Sequence, residues 1–349
     1  MQRTRIDTIH YMFTVCFFPS SCWPTTNHHS LTMCKPDSSS TTTVPPTQPV
    51  RPLRLLLSAK SYQGQNSGQG PDAASAILTG LIFVLFLVTT EQLCLQWLTE
   101  HQDMHELLAE ELHRRILARH VGVDTLACCI CAALGFADMH TYADVWKYYV
   151  KGDKNAFVKA NYLNRVLAYD PASLRLCLFF TAYQIKNLYD TIIFDDGPVF
   201  IFHHVFSAIT AYGCMVPKIS NYYPFFFVGL SEISTAVLCL LANFDPVHGI
   251  PGLGEAFPTV KIVLAALFVV TFLICRVITW PILSYHFQQD IFNTLKHHKD
   301  DPRVQERQGW YYFHVVSNAS LTLLQWAWLL EIFYTVYKEA VAMGLIQAY

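Results

Sequence analysis

Seven long apolar runs dominate the chain from residue 74 onward, at 74–98, 121–141, 172–194, 198–217, 222–243, 259–283 and 311–336. A helix needs about 20 apolar residues to cross the hydrocarbon core of a bilayer. Most of the runs reach that length, and the second is the weakest. Lipid offers no partner to an open backbone, so the runs predict helices. Asp195-Asp196-Gly197-Pro198 predicts acidic caps and a proline in the first turn of the fourth span. Pro217 closes that span, and Asp245-Pro246 closes the fifth. Trp310, Tyr311 and Tyr312 fall where an aromatic belt is expected. The expected fold class is all-α, a polytopic membrane protein of about seven transmembrane helices.

The segments outside the runs divide the chain further. Residues 1–73, rich in Ser, Thr, Pro and Gly, cannot build a core and predict a disordered tail. A short apolar patch within it, Ile9 to Phe18 after Arg3 and Arg5, has the look of a weak signal or transit element. Residues 74–141 hold the first two spans. Between them, 102–120 reads as an interfacial amphipathic helix or a polar connector, with Met104, Leu107, Leu108, Leu112 and Ile116 on one face. Glu110 with Arg114, and Glu111 with Arg115, are i,i+4 pairs on its wet side. Residues 142–340 form the remaining membrane core. The connections at 142–171 and 284–310 are basic, so the positive-inside rule puts them and the tail in the cytosol and the C-terminus opposite.

Composition agrees with the pattern. The chain has 349 residues, 52% hydrophobic and 14% charged, with a mean hydropathy of +0.27. A soluble domain carries about 25% charged residues. The net charge of -2 argues against a nucleic-acid partner, which needs clustered Lys and Arg. The 11 cysteines, most of them inside apolar runs, show no recurring zinc-type spacing. Neither a metal site, a cofactor nor a disulfide framework is expected.

The chemistry lies in the few polar residues within the spans. In the third, Tyr183, Asn187 and Asp190 recur at i, i+4, i+7, and in the fourth His203, Ser207 and Thr210 do the same. Glu232, Thr235 and Cys239 share a side of the fifth, and Arg276 and Thr279 a side of the sixth. Asn318, Thr322 and Gln325 repeat the pattern in the seventh. Turned inward, five such edges enclose a polar cavity; the alternative is hydrogen-bonding glue between neighbouring helices. Buried Glu, Asp, Arg and His favour the cavity, because charge in hydrocarbon is costly. Asn187, Ser207, Glu232, Thr235, Arg276, Asn318 and Gln325 are its candidate lining. Asp190 beside His203 or His204 would make an acid–base unit, although Lys186 and Asp190 also form an i,i+4 pair. A Glu232–Arg276 ion pair fits their similar depths. Asn318-Ala319-Ser320 is a glycosylation sequon inside a span, and is expected to be unused.

Over roughly 172–336 the chain resembles the TLC-domain family, which includes the TRAM proteins and the Lag-type ceramide synthases. The likeness rests on His203-His204 opening a span and on Gly229-Leu230-Ser231-Glu232-Ile233-Ser234-Thr235 in the next. It is extended by Leu273-Ile274-Cys275-Arg276 before Pro281, and by Asn318 through Trp326 in the last span. The resemblance implies a helical barrel around a lipid-accessible cavity. In ceramide synthases the His pair is followed by a His-Asp…Asp arrangement; here those positions hold Ser231-Glu232 and Thr235. The resemblance therefore implies the non-synthase branch: a membrane protein that binds lipid and influences lipid composition, sensing or trafficking. The alternatives are an acyl-CoA-dependent acyltransferase using His203 or His204, and a small-solute or proton-coupled transporter. The implied partners are membrane lipids, and acyl-CoA in the enzyme reading. The implied location is the endoplasmic reticulum or a related endomembrane, with the plasma membrane as the alternative.

Overall fold

The computed structural model describes residues 73–137, 147, 151–152, 162–167, 169–245 and 248–342. Among them there is no strand. The expectations for 1–72, for the end of the second span at 138–141 and for most of the connection that follows it lie outside these residues.

The helices are α1 (Ala73–Glu100), α2 (Glu111–Ala137), α3 (Tyr162–Leu167), α4 (Pro171–Ile193), α5 (Pro198–Met215), α6 (Phe225–Ala242), α7 (Leu253–Ala256), α8 (Pro258–His297), α9 (Pro302–Gln305) and α10 (Gln308–Ala342). Six of them, α1, α2, α5, α6, α8 and α10, are long and apolar enough to cross a membrane. The protein is thus all-α and polytopic. Helix α4 has span length at 23 residues, but Arg175, Lys186 and Asp190 lower its hydropathy. Two of these charges are hidden rather than exposed: Lys186 is 5% exposed and Asp190 2%.

Several ends differ from the expected ones. Helix α4 starts on a true cap, with Asp170 accepting from the Ala172 amide at 2.8 Å and Pro171 in the first turn. Helix α5 also starts on its proline, but no acid caps it. Gly197 takes the cap position at φ 105°, and Asp196 turns away to meet Arg119. Residues 102–108 form two short 3₁₀ turns, and the helix from Glu111 runs on without a break into the second span. Glu111 does pair with Arg115, but Arg114 donates instead to the carbonyls of Leu108 and Ala109. Helix α8 does not stop at 283. Leu283, Phe287 and Ile291 continue a buried stripe at i,i+4 spacing and carry it to His297. At about 1.5 Å per residue its 40 residues extend roughly 60 Å, twice a hydrocarbon core. Tyr311, expected in an aromatic belt, is wholly buried among Val166, Ile219 and Ile291.

Helices α4, α5, α10, α8 and α6 touch in that order, and α6 returns to α4, closing a ring of five. These are the five helices with a polar edge. Helices α1 and α2 pack against α4 from outside, and α2 also lies on α6. Helix α1 is the most lipid-like in its exposure, with Ile77, Leu81 and Leu85 each more than 60% accessible. The α2–α6 crossing is held by glycines. A Cβ on Gly135 would sit 2.6 Å from the Phe225 carbonyl oxygen, and one on Gly229 would sit 2.9 Å from the Gly135 Cα. Small residues allow such backbone approach between membrane helices.

Three stretches depart from α-helical winding: His120–Thr125 in α2, Phe225–Leu230 in α6 and Leu273–Thr279 in α8 are π-helical. Each holds or adjoins an ionisable group, Asp124, Glu232 and Arg276 respectively. A π-turn inserts a residue and re-aims the side chains around it, which is why such turns gather at functional sites.

Candidate functional site

The ring encloses a cavity of about 640 Å³, counted to its open mouth. Each of the five helices contributes to its wall. From α5 come His203, Ser207, Thr210 and Cys214, the fourth-span stripe continued by one turn. From α10 come His314, Asn318 and Leu321, and from α4 Cys177 and Phe180. Phe227 and Glu232 on α6 face Arg276, Trp280 and Phe287 on α8. The connection between α5 and α6 supplies Ser220 and Tyr223. Most of the lining is apolar or aromatic.

Glu232 and Arg276 form the ion pair expected from their depths, Nη2 to Oε1 at 3.0 Å. The same guanidinium donates to Thr235 Oγ1 at 2.9 Å and to Ser234 Oγ at 3.2 Å, and lies 5.1 Å over the Trp280 ring. Cys128 Sγ donates to the other Glu232 oxygen. Both charges are nearly excluded from solvent, so each depends on the other: an unpaired charge here would be strongly destabilising.

The two histidines separate. His203 lines the cavity, and its Nδ1 is buried without a partner. Its ring meets Trp328 edge-on at 5.2 Å. His204 turns toward α4, where its Nδ1 meets Gln184 Oε1 at 2.7 Å. Asp190 joins neither. Both of its oxygens accept from Lys186 Nζ, the first at 2.7 Å, and Lys186 also reaches Glu91 at 2.8 Å. The Asp190–His unit expected from the sequence is therefore not formed; the i,i+4 ion pair takes its place. The physical reason is that a buried ammonium nearby is a stronger partner for a carboxylate than a neutral imidazole.

The other predicted lining residues divide as well. Ser207, Glu232, Arg276 and Asn318 lie on the cavity. Asn187 is not part of its wall and donates to Tyr183 Oη at 3.0 Å. Gln325 donates to the Leu321 carbonyl of its own helix, and Thr235 touches the cavity only through Arg276. Asn318 also ties helices together, donating to Ser284 Oγ at 3.2 Å and accepting from Gln288 at 3.0 Å. The hydrogen-bonding glue and the cavity coexist, on different residues.

Sequence reasoning passed over three features. His314 and Ser220 sit in the cavity wall. Outside it, Arg119 pairs with Asp196 and approaches Asp124 at 3.8 Å, joining α2 to the 195–197 turn. At the far end of α8, Arg165 forks onto Asp290, which also accepts from the Tyr223 hydroxyl. His314 was legible: it lies four residues before Asn318, on the same stripe. The Arg119 cluster was not, because its partner is 77 residues away.

Helices that span a membrane and surround a largely apolar cavity with a neutralised ion pair in its wall define a polytopic membrane protein with an internal site. A family model described as the TLC domain matches residues 119–334, more than half of the chain. The chain belongs to the TLC-domain family. No curated protein matches it, and no solved structure does.

Proposed function

We propose that this TLC-family protein binds a membrane lipid in the five-helix cavity, and through that binding influences lipid composition, sensing or trafficking in an endomembrane such as the endoplasmic reticulum. The observation that carries the reading is the make-up of the cavity wall: aromatic and aliphatic, with the one ionised pair among its described residues already neutralised. Apolar enclosure with a few convergent polar groups suits an amphiphile better than a hydrated solute. The non-synthase branch is favoured by Ser231 and Thr235. Ser231 Oγ donates to the Phe227 carbonyl, and Thr235 accepts from Arg276, so both serve packing.

The test is to purify the full chain in detergent and identify co-purifying lipids by mass spectrometry. One lipid class should be enriched over the host membrane. Ala211→Phe, which pushes a ring into the empty volume, should remove it while the helices remain by circular dichroism. Equal retention by the variant, or no enrichment in the wild type, would refute the reading.

A second reading, acyl transfer from acyl-CoA, draws on one observation: His203 lines the cavity and its Nδ1 is buried without a partner. In that reading His203 rather than His204 is the general base. Labelled acyl-CoA with a long-chain amine or alcohol should then give product that disappears in His203→Ala and persists in His204→Ala.

A further inference from the structure

Two side chains at one end of the cavity hold buried polar atoms that the protein itself never satisfies. His314 is fully buried, and neither ring nitrogen has a hydrogen-bond partner. The rings of Phe287, Trp310 and Phe313 surround it, with centroids 6.2, 6.5 and 6.1 Å away. Ser220 is 1% exposed, and its hydroxyl is likewise unpartnered. Both residues line the cavity. Both adjoin the C-terminal end of α5: His314 lies against Gly213, and Asn221, next to Ser220, donates to the Cys214 carbonyl.

Their backbones point the same way. Ser220 sits at φ 59° and Lys218 at φ 55°, the left-handed region that residues other than glycine seldom occupy. Strain of this sort persists where a site is over-determined by its surroundings, and it gathers at ligand clamps. His314 is seated by a gap in α5. A Cβ on Gly213 would come 2.4 Å from Nε2, so the imidazole fits against the helix only because that residue has no side chain. Folding alone asks for neither arrangement, since an unmade hydrogen bond in a buried place is destabilising.

The chemistry of the missing partner can be read from the atoms present. An imidazole enclosed by aromatic rings is neutral, with one nitrogen donating and the other accepting; a serine hydroxyl does both. Among the described residues, the only ionised groups in the cavity wall are Glu232 and Arg276, and they neutralise each other. A phosphate at the His314 end would be a stranded charge. Resting on the lipid-cavity reading above, we propose that His314 and Ser220 form a headgroup pocket for an uncharged lipid bearing a hydroxyl and a carbonyl, such as a monoacylglycerol, and that phosphate-bearing lipids are rejected there. The acyl part lies along the aromatic wall toward His203, ten residues up α5 from Gly213, or about 15 Å at the helical rise.

The experiment uses the full chain in detergent with three probes of identical chain length: monooleoylglycerol, lysophosphatidylcholine and lysophosphatidic acid. Wild-type protein should bind monooleoylglycerol about ten-fold or more tightly than either phospholipid, the difference expected when one ligand leaves charge unpaired and the other does not. His314→Leu and Ser220→Ala should each weaken monooleoylglycerol by about ten-fold. Neither should lower the unfolding temperature of the lipid-free protein, because each deletes an unsatisfied group. His314→Gln, which keeps a donor and an acceptor, should recover part of the affinity. Equal binding of the phospholipids, or unchanged monooleoylglycerol binding by both His314→Leu and Ser220→Ala, would overturn the headgroup assignment while leaving the cavity a lipid site; the latter result would mean that water alone meets these atoms. Failure of all three probes to bind the wild type would overturn the headgroup assignment, and the co-purification test above would still decide the lipid-cavity reading.

Discussion

Lys186 is the residue on which the most local order depends. Its ammonium is shared between Asp190 on its own helix and Glu91 on α1, and it is almost wholly buried. Removing one member of a buried pair leaves a charge with no partner, at a cost of about 3–5 kcal/mol. Lys186→Met should therefore lower the unfolding temperature in detergent sharply. Arg115→Ala, which breaks the exposed Glu111 pair, should change the unfolding free energy by less than about 1 kcal/mol. Outside the membrane the informative group is Asp301, which caps α9 through the Arg303 amide and pairs with the Arg303 guanidinium at 2.7 Å. Those bonds hold its carboxyl down at about 2, from an ordinary 3.8. A depressed carboxylate contributes its stabilisation above the unfolded value and loses it as pH falls through the folded one. The cap should thus persist until roughly pH 2. Arg303→Ala should raise the Asp301 midpoint toward 3.8, read by carboxylate NMR.

Individual helices followed the hydrophobic pattern where that pattern was strong, and departed from it where distant contacts decided. Over their described residues, all seven apolar runs became largely helical, because lipid-compatible length and backbone satisfaction are local properties. The polar stripe of α5 could be read for the same reason: His203, Ser207 and Thr210 share a face whatever surrounds them. The end of α8 was hidden by His286, Gln288, Gln289 and Asp290, whose polarity masks the apolar stripe running between them. The fate of Asp190 could not be chosen from sequence, since Lys186 and two histidines were all within plausible reach. The π-helical turns left no local signature either. The glycine crossing is another long-range fact, because Gly135 and Gly229 look unremarkable in their own runs. Gly135→Ala should nonetheless be felt at once. Its methyl would strike the Phe225 carbonyl, and overpacking of this kind costs about 1–3 kcal/mol. The same change at Gly309, where a Cβ meets nothing within 4 Å, should cause no loss in a thermal-shift assay.

On the scale of the whole molecule, the ring divides its labour. The α8–α10 seam is closely stitched: Trp280 Nε1 donates to Thr322 at 3.0 Å, and Asn318 bridges Ser284 and Gln288. The α6–α8 seam carries the Glu232–Arg276 pair. Where α5 meets α10, a hydroxyl pair, Thr210 with Ser317, lies beside the His203–Trp328 rings. Polar fastening is thus uneven around the cavity, heaviest on the side of α8. The notion that every costly side chain looks into one chamber is too simple. Arg119 with Asp196, Lys186 with Asp190, and Arg165 with Asp290 brace the bundle at other places.

The touching glycines of α2 and α6 carry a consequence for motion. Backbones in direct contact have no side-chain layer to shear, so those two helices travel as a single keel while neighbours breathe around them. Amide deuteration should record this, with 131–135 and 226–230 the last segments of the membrane region to take up label. Gly229→Ala should release both stretches together.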